Sequence, residues 1–403
     1  MSDGTIRQSQ GTPSWLGAVN DRVGLSALLD HGPLTRNRIC ELVGVSKPTA
    51  SMMMTRLIAA GVVEESGQVA GSPGRNAALY KARTDRPLGV AIALDAFRLR
   101  ARVVDAAGGD RPVVTIDLPR DPAERSAVDE VAAAIRAASE AAGTDPRVVH
   151  TVCIGTAGYV DPRGDGQLFS ETLPGWPTTG LRDVLERELG VTVFVENDVN
   201  LAALAERQTG AGEGRDVFAL LWLGNGVGTS FDVAGDLHRG SFGGAGELGF
   251  LPLSVQAHAL DPKAETSTDL VGAAAIRRVA AAHRVAGVDP STADLASILA
   301  AIADSPSADA IIDEFGERIA HISLPLLATL DPGLLVLAGP TAAIGGTRLA
   351  DAVEREIRRL SRWYPEVVAT HVEGDAVLQG AHAFLTAKVR EELLSKVARL
   401  AVP

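Results

Sequence analysis

Three observations predict an α/β protein with a separate helical head. Residues 35–61, TRNRICELVGVSKPTASMMMTRLIAAG, space their apolar side chains as two short helices around a tight turn. From Leu88 onward, short apolar runs alternate with amphipathic helical segments. Apolar residues make up 46% of a 403-residue chain, enough to fill the cores of two or three domains. The expected order is a flexible polar arm over 1–20, the head over 21–86 and the body over 87–403.

The head's first helix is expected over 21–29, where Val23, Leu25, Leu28 and Leu29 are apolar, and HGPL (31–34) turns the chain. Thr35 caps a second helix with Ile39, Leu42 and Val45 as its stripe, and Gly44 sits where the chain must turn. Ser46 caps a third helix, and Pro48 falls in its first turn, where a missing N–H costs nothing. Ala50, Met53, Leu57 and Ile58 make the inward face, and Gly61 ends the helix. Strands at 62–64 and 78–82 flank a Gly-rich loop at 66–77. Three helices and a β-hairpin make a winged helix-turn-helix, whose recognition helix can enter a DNA major groove.

In that geometry Lys47, Thr49, Ser51, Met52 and Arg56 point away from the core. Lys47 and Arg56 suit phosphate or guanine, Thr49 and Ser51 suit phosphate or base edges, and Met52 suits a thymine methyl. An ordinary solvated helix face is the competing reading. Arg75 lies among small residues on the wing, placed to enter a minor groove.

Charge is split to match. The net charge is −12, yet residues 1–87 hold ten Lys/Arg against seven Asp/Glu, a balance of +3, and the remainder carries −15. A mildly basic head on an acidic body fits local contact with phosphates. No stretch approaches the roughly 18–20 uncharged apolar residues of a membrane span, and MSDGTIRQSQ has no apolar signal core. A cytoplasmic protein with no membrane partner is expected. Cys40 and Cys153 are the only cysteines, which excludes a disulfide framework and an all-cysteine zinc site.

In the body, 90–95 and 101–106 read as a hairpin, 148–155 and 192–197 as buried strands, and 128–143 and 178–190 as helices. A second half follows the same style, with strands at 218–224, 228–235 and 334–339 and helices near 269–287 and 308–330. Two lobes with mixed sheets follow. Lobe one covers about 87–197 plus a C-terminal helix at 380–403, and lobe two about 198–379. Asn197 and Asp198 stand at the C-terminal end of a strand, where open α/β sheets place ligands. They either cap the helix VNLAALAE or grip neighbouring hydroxyls.

Five segments carry a resemblance. IGTAGYVD (154–161), VENDVNLAALAE (195–206), LGNGVGTSFDVAGDLHRGSFGGAGELG (223–249), LDPGLLVLAGP (330–340) and GDAVLQGAHAF (374–384) together resemble the ROK family of repressors, open reading frames and sugar kinases. The resemblance covers nearly the whole chain, and the winged head resembles that of the family's repressors. It implies a two-lobed, actin-like (ribonuclease H-like) sugar-kinase fold. It implies that Asp198 matches the base of the family's kinases and that Glu247 matches a sugar ligand. Gly155 and Gly158 match a loop lining the sugar pocket, or are turn glycines.

The departures are as informative. Phe250 stands where the family has a histidine that binds zinc and sugar, so it either stacks on a sugar ring or fills the pocket. The segment 254–269 lacks the family's three zinc cysteines, and His258 alone cannot complete a tetrahedral site, so no metal is expected. Simple counting puts the family's next sugar-binding glutamate near Asp269, with Glu265 as the competitor. The family's kinases carry Asp-x-Gly-Gly-Thr on the first hairpin. Here the chain reads Asp95-Ala96-Phe97-Arg98-Leu99, and Phe97 would crowd a phosphate. The second Gly-rich loop, 224–229, survives.

The resulting expectation is a transcriptional regulator, a repressor of carbohydrate genes, without cofactor and without kinase activity. Its partners would be a pseudo-palindromic DNA duplex, a sugar or sugar phosphate between the lobes, and further copies of itself as a homodimer or homotetramer. The rivals are an active ATP-dependent sugar kinase with a DNA-binding head, and a regulator that answers a protein partner instead of a sugar.

Overall fold

The structure, a computed structural model, describes residues 13–70, 76–160, 168–169 and 173–399. The head contains α1 (Pro13–His31), β1 (Leu34–Thr35), α2 (Arg36–Val43), α3 (Lys47–Ala59), β2 (Val63–Ala70) and β3 (Asn76–Ala82), with sheet order β1-β3-β2. Thr35 caps α2 by accepting from the Arg38 N–H, and Ser46 caps α3 by accepting from the Thr49 N–H. Gly44 adopts φ 72°, the left-handed conformation that the turn between these helices requires.

Three head expectations are corrected. Helix α1 begins at Pro13, so residues 13–20 are helix and not arm. A proline at a helix start is a start signal, but Gly17 and Asn20 blurred the apolar period. Strand β2 runs to Ala70, beyond the expected 64, and a register shift between Glu65 and Gly67 breaks the alternation that would have marked it in the sequence. Ile58 is 42% exposed, and the buried Met54 takes its place. The inward face is therefore Ala50, Met53, Met54 and Leu57, a strict i, i+3, i+4, i+7 stripe. Arg75 and the tip of the wing lie outside the described residues.

Lobe one comprises β4 (Leu88–Asp95), β5 (Arg98–Val104), β6 (Val114–Asp117), α4 (Ala127–Ala141), β7 (Val149–Thr156), the short strands β8 (Tyr159–Val160) and β9 (Leu168–Phe169), α5 (Leu181–Leu189) and β10 (Thr192–Asn197). Helix α6 (Asp198–Thr209) leads to lobe two. That lobe comprises β11 (Val217–Leu223), β12 (Val227–Val233), β13 (Asp236–Leu237), α7 (Val255–Leu260), α8 (Ser267–Val271), α9 (Ala273–Ala282), α10 (Leu295–Ala303), α11 (Ala308–Leu330), β14 (Leu334–Ala338), α12 (Gly339–Leu360) and β15 (Glu366–Ala369). Helix α13 (Ala376–Arg399) closes the chain's described part, starting earlier than the expected 380.

The two lobes repeat one plan. Their sheets have orders β10-β7-β4-β5-β6 and β13-β12-β11-β14-β15. In each, an antiparallel meander continues into parallel strands that need helical crossovers. This is the two-lobed actin-like fold with an N-terminal winged helix-turn-helix.

Two helices join the parts. Helix α6 is shared: Leu201 packs with Ala91, Ala93 and Cys153 of the first sheet, while Val199, Ala202 and Ala203 pack with Phe218, Leu220 and Val336 of the second. The expected boundary at 197/198 thus falls in the interface between lobes. Helix α13 lies against the first sheet through Leu378, Ala381 and Leu385. Its last turns also reach the head: Val389, Leu393, Leu394 and Val397 enter the head core beside Leu25, Ile39, Met53 and Leu57, while Glu392 still bonds His150 of β7 at 2.8 Å. Arg390 adds an ion pair to Asp30 of α1 at 2.6 Å. The helices α6 and α13 cross at Gly380, where a Cβ would stand 1.8 Å from the Leu201 carbonyl oxygen.

Candidate functional site

The strand ends of both lobes and the N-termini of α6 and α13 face one cleft of about 1770 Å³. Its walls include Asp95, Gly158, Asn197, Asp198, the loop 224–229, Glu247, Phe250 and Asp375. Asn197 caps α6, accepting from the Asn200 N–H at 3.0 Å and donating its amide N–H to the Gly158 carbonyl at 2.9 Å. The capping reading therefore holds for Asn197, although the residue also borders the cleft.

Asp198 is the chemically distinctive group. Burial pushes its carboxyl up to about 6, against a bond from the Val199 N–H, and the nearby charges of Asp95 and Glu247 push the same way. Burial also raises the Glu247 carboxyl. Two partly desolvated carboxylates on one cleft can accept hydroxyl protons from a polyol, and one with a raised pKa can act as a base near neutrality.

The raised Asp198 gives a prediction. An aspartate ordinarily ionises near 3.8, so between pH 4 and 6 the folded state holds a proton that the unfolded chain has lost. Stability contributed by this group is complete below pH 4 and is lost as pH rises through about 6. Asp198→Asn should therefore stabilise the protein by roughly 1–3 kcal/mol at pH 8 and not at pH 4. Thermal melts across pH check this; an equal effect at both pH values would refute it.

Two expected pocket residues are not pocket residues. Gly155 lies under the cleft, where a Cβ would stand 2.4 Å from Leu201 Cδ1 and 2.7 Å from Val377 Cγ1, so it is a packing glycine. Asp269 closes a capping box on α8: its Oδ2 accepts from the Thr266 N–H and hydroxyl and from the Glu265 N–H. Glu265 is exposed, and Thr266 and Thr268 border the cleft instead. Counting failed here because the segment 254–269 folds as α7 and a turn tied by arginines. Asp261 accepts from Arg278 at 2.8 Å and Arg318 at 3.2 Å, and these arginines also donate to the Asp269 and Leu270 carbonyls. His258 bonds the Ala264 carbonyl. Among the described residues no group of three His, Cys, Asp or Glu is arranged to hold a metal. Phe250 does face the cleft and is 72% exposed.

The β4–β5 turn is anchored from beneath by Arg125, which donates to the Ala96 carbonyl at 2.7 Å and pairs with Glu130. Arg98, Arg100 and Arg120 also border the cleft, a position not expected from the sequence. The signal was present: arginines at 98 and 100 fall on one face of a strand directly after the turn.

On α3, Lys47 and Met52 are exposed, and Thr49 and Ser51 are half-buried. The Thr49 hydroxyl lies 2.8 Å from the Ser46 hydroxyl. Arg56 differs from expectation. Its guanidinium makes a bidentate pair with the buried Asp21 at 2.6 and 2.7 Å, bracing α3 on α1. Among the described residues no helix is long and apolar enough to cross a membrane.

The ROK family model matches residues 90–388. The chain belongs to the ROK family. A solved ROK family transcriptional regulator, a homolog of the E. coli MLC protein, superposes with a TM-score of 0.71 at 21% identity, covering 95% of this chain and 99% of that one. The xylose repressor of Caldicellulosiruptor bescii is 25% identical over 252 residues, 61% of this chain and 61% of the repressor. The glucokinase of Streptomyces coelicolor is 31% identical over 169 residues, 41% of this chain and 50% of the kinase. The chain thus matches between half and about three fifths of the length of these two ROK relatives.

Proposed function

We propose that this ROK protein is a DNA-binding transcriptional repressor of carbohydrate genes, with a sugar or sugar phosphate effector held between its lobes. The observation that carries this reading is α13, which begins beside the cleft at Asp375 and ends inside the head core at Val397. A helix of 24 residues spans about 36 Å, and ridges packed this tightly move as one piece. An effector that changes the closure of the cleft would therefore tilt the head. By linkage it must bind the DNA-free arrangement better, or the bound one if it is a co-repressor. On a homodimer the tilt would take two α3 helices out of register with half-sites spaced by whole turns of roughly 10 bp. The repressor relatives and the regulator-like fold support the same reading.

Lys47→Glu is expected to weaken binding to the chain's own upstream DNA by about tenfold or more, with folding intact. Fluorescence anisotropy and circular dichroism test it; undiminished binding would mean that α3 does not face DNA. The kinase reading draws on the glucokinase relatives and the surviving loop 224–229. Against it stand Phe97 and Arg98 in place of bare backbone on the first hairpin. A coupled ADP-release assay over a sugar panel should show no turnover; robust turnover abolished in Asp198→Asn would establish a kinase.

A further inference from the structure

We propose that the cleft contains a phosphomonoester subsite built around the Phe97 turn, and that the effector is a phosphorylated sugar. The inference rests on the effector site proposed above and names its ligand class. Arg98 and Arg100 sit on one face of β5, and Arg120 follows β6, which is tied to the turn by the Leu118 N–H donating to the Phe97 carbonyl. All three border the same cleft as Asp198 and Glu247.

Their present partners are weak or incomplete. Arg98 pairs with Asp117 at 3.3 Å with both side chains largely exposed, an interaction that contributes little in water. Arg100 reaches Asp95 at 3.3 Å and Asp375 at 3.0 Å, yet its Nε is buried without a hydrogen-bond partner. Arg120 lies over the Phe97 ring at 5.1 Å and has no carboxylate partner among the described residues. The Phe97 ring helps to hold this guanidinium beside the turn, and a guanidinium can bind a phosphate bidentately.

The chemistry also limits the ligand. Phe97 and the arginine side chains occupy space where bare backbone would have to approach a polyphosphate chain. One terminal phosphoryl group at the rim, with sugar hydroxyls reaching toward Asp198 and Glu247, uses both ends of the cleft. Asp375 gives the subsite a route to the head. It caps α13 by accepting from the Leu378 N–H at 3.1 Å. A phosphate that draws Arg100 away from Asp375 changes the ion pairing at the start of that helix.

The test is isothermal calorimetry on the full chain with matched probes: glucose, N-acetylglucosamine and xylose, a monophosphate of each, inorganic phosphate, and a non-hydrolysable ATP analogue. At least one monophosphate should bind about tenfold or more tightly than its free sugar. The Arg98→Ala/Arg120→Ala variant, altered only at exposed side chains, should lose that preference while keeping the affinity for the free sugar. A free sugar that binds as well as its phosphate would overturn the subsite and leave the effector reading intact. A preference that persists in the variant would place the phosphate elsewhere. Tightest binding by the ATP analogue would make this a nucleotide site. If no probe binds, the effector reading falls together with the subsite.

Discussion

Gly380→Ala is expected to cost about 3 kcal/mol or more and to weaken DNA binding, although residue 380 lies in the body and not in the head. The added methyl would stand 1.8 Å from the carbonyl oxygen of Leu201 and 2.4 Å from its carbonyl carbon. Both are backbone atoms inside α6, so no side-chain rotation relieves the clash. The helices must separate, and α6 is held on its far side by the second sheet through Val199, Ala202 and Ala203. Helix α13 moves instead, and its far end is part of the head core. Gly155→Ala is the control. Its new methyl meets the ends of Leu201 and Val377 side chains, which can shift, so the loss should be smaller. Denaturant melts and anisotropy on the same samples measure both effects. Native-like stability and DNA affinity in Gly380→Ala would mean that the helix crossing transmits nothing.

Asp261→Ala is expected to cost about 3 kcal/mol, because Arg278 loses its carboxylate and the buried Arg318 is left with that of Glu314. This aspartate ties α7 to α9 and α11 through Arg278 and Arg318. The variant Asp261→Ala/Arg318→Met should recover part of the loss, since it removes one of the two guanidinium groups left without that carboxylate. Burial opposes ionisation of Asp261, but bonds from Arg278, the Lys263 N–H and Arg318 outweigh it and hold the carboxyl below its usual range. Its stabilising contribution is therefore present above pH 4 and lost as the solution is made more acidic. Urea melts of both variants at pH 7 and pH 3 check the sign. An Asp261→Ala protein as stable as its parent at pH 7 would show that packing alone holds the loop.

The parts of the fold legible in the sequence are those set by local chemistry. Thr35, Gly44, Ser46 and Pro48 state where two helices begin and end whatever surrounds them. The strands β7, β10, β11 and β14 are apolar runs bounded by turns, and such runs read well. What escaped depends on partners distant in sequence. Leu378, Leu385, Val389 and Leu393 announce an amphipathic helix, but not that its two halves enter different cores. Arg56 looks like a phosphate contact until α1 brings Asp21 to it. Asp269 looks like a ligand when counted along the chain, yet its carboxylate turns back onto its own helix. Gly155 sits in the expected motif, but packing and not a ligand demands its missing side chain.

The most direct measurement is hydrogen exchange along residues 374–399, with and without a duplex selected from a random pool by the full-length chain. A pseudo-palindromic duplex should be recovered. Its binding should alter exchange at the cleft end, 374–380, as well as in the head, and Lys47→Glu should abolish both changes. Failure to enrich any duplex, or changes confined to the head, would contradict a cleft and a DNA-facing helix coupled through α13.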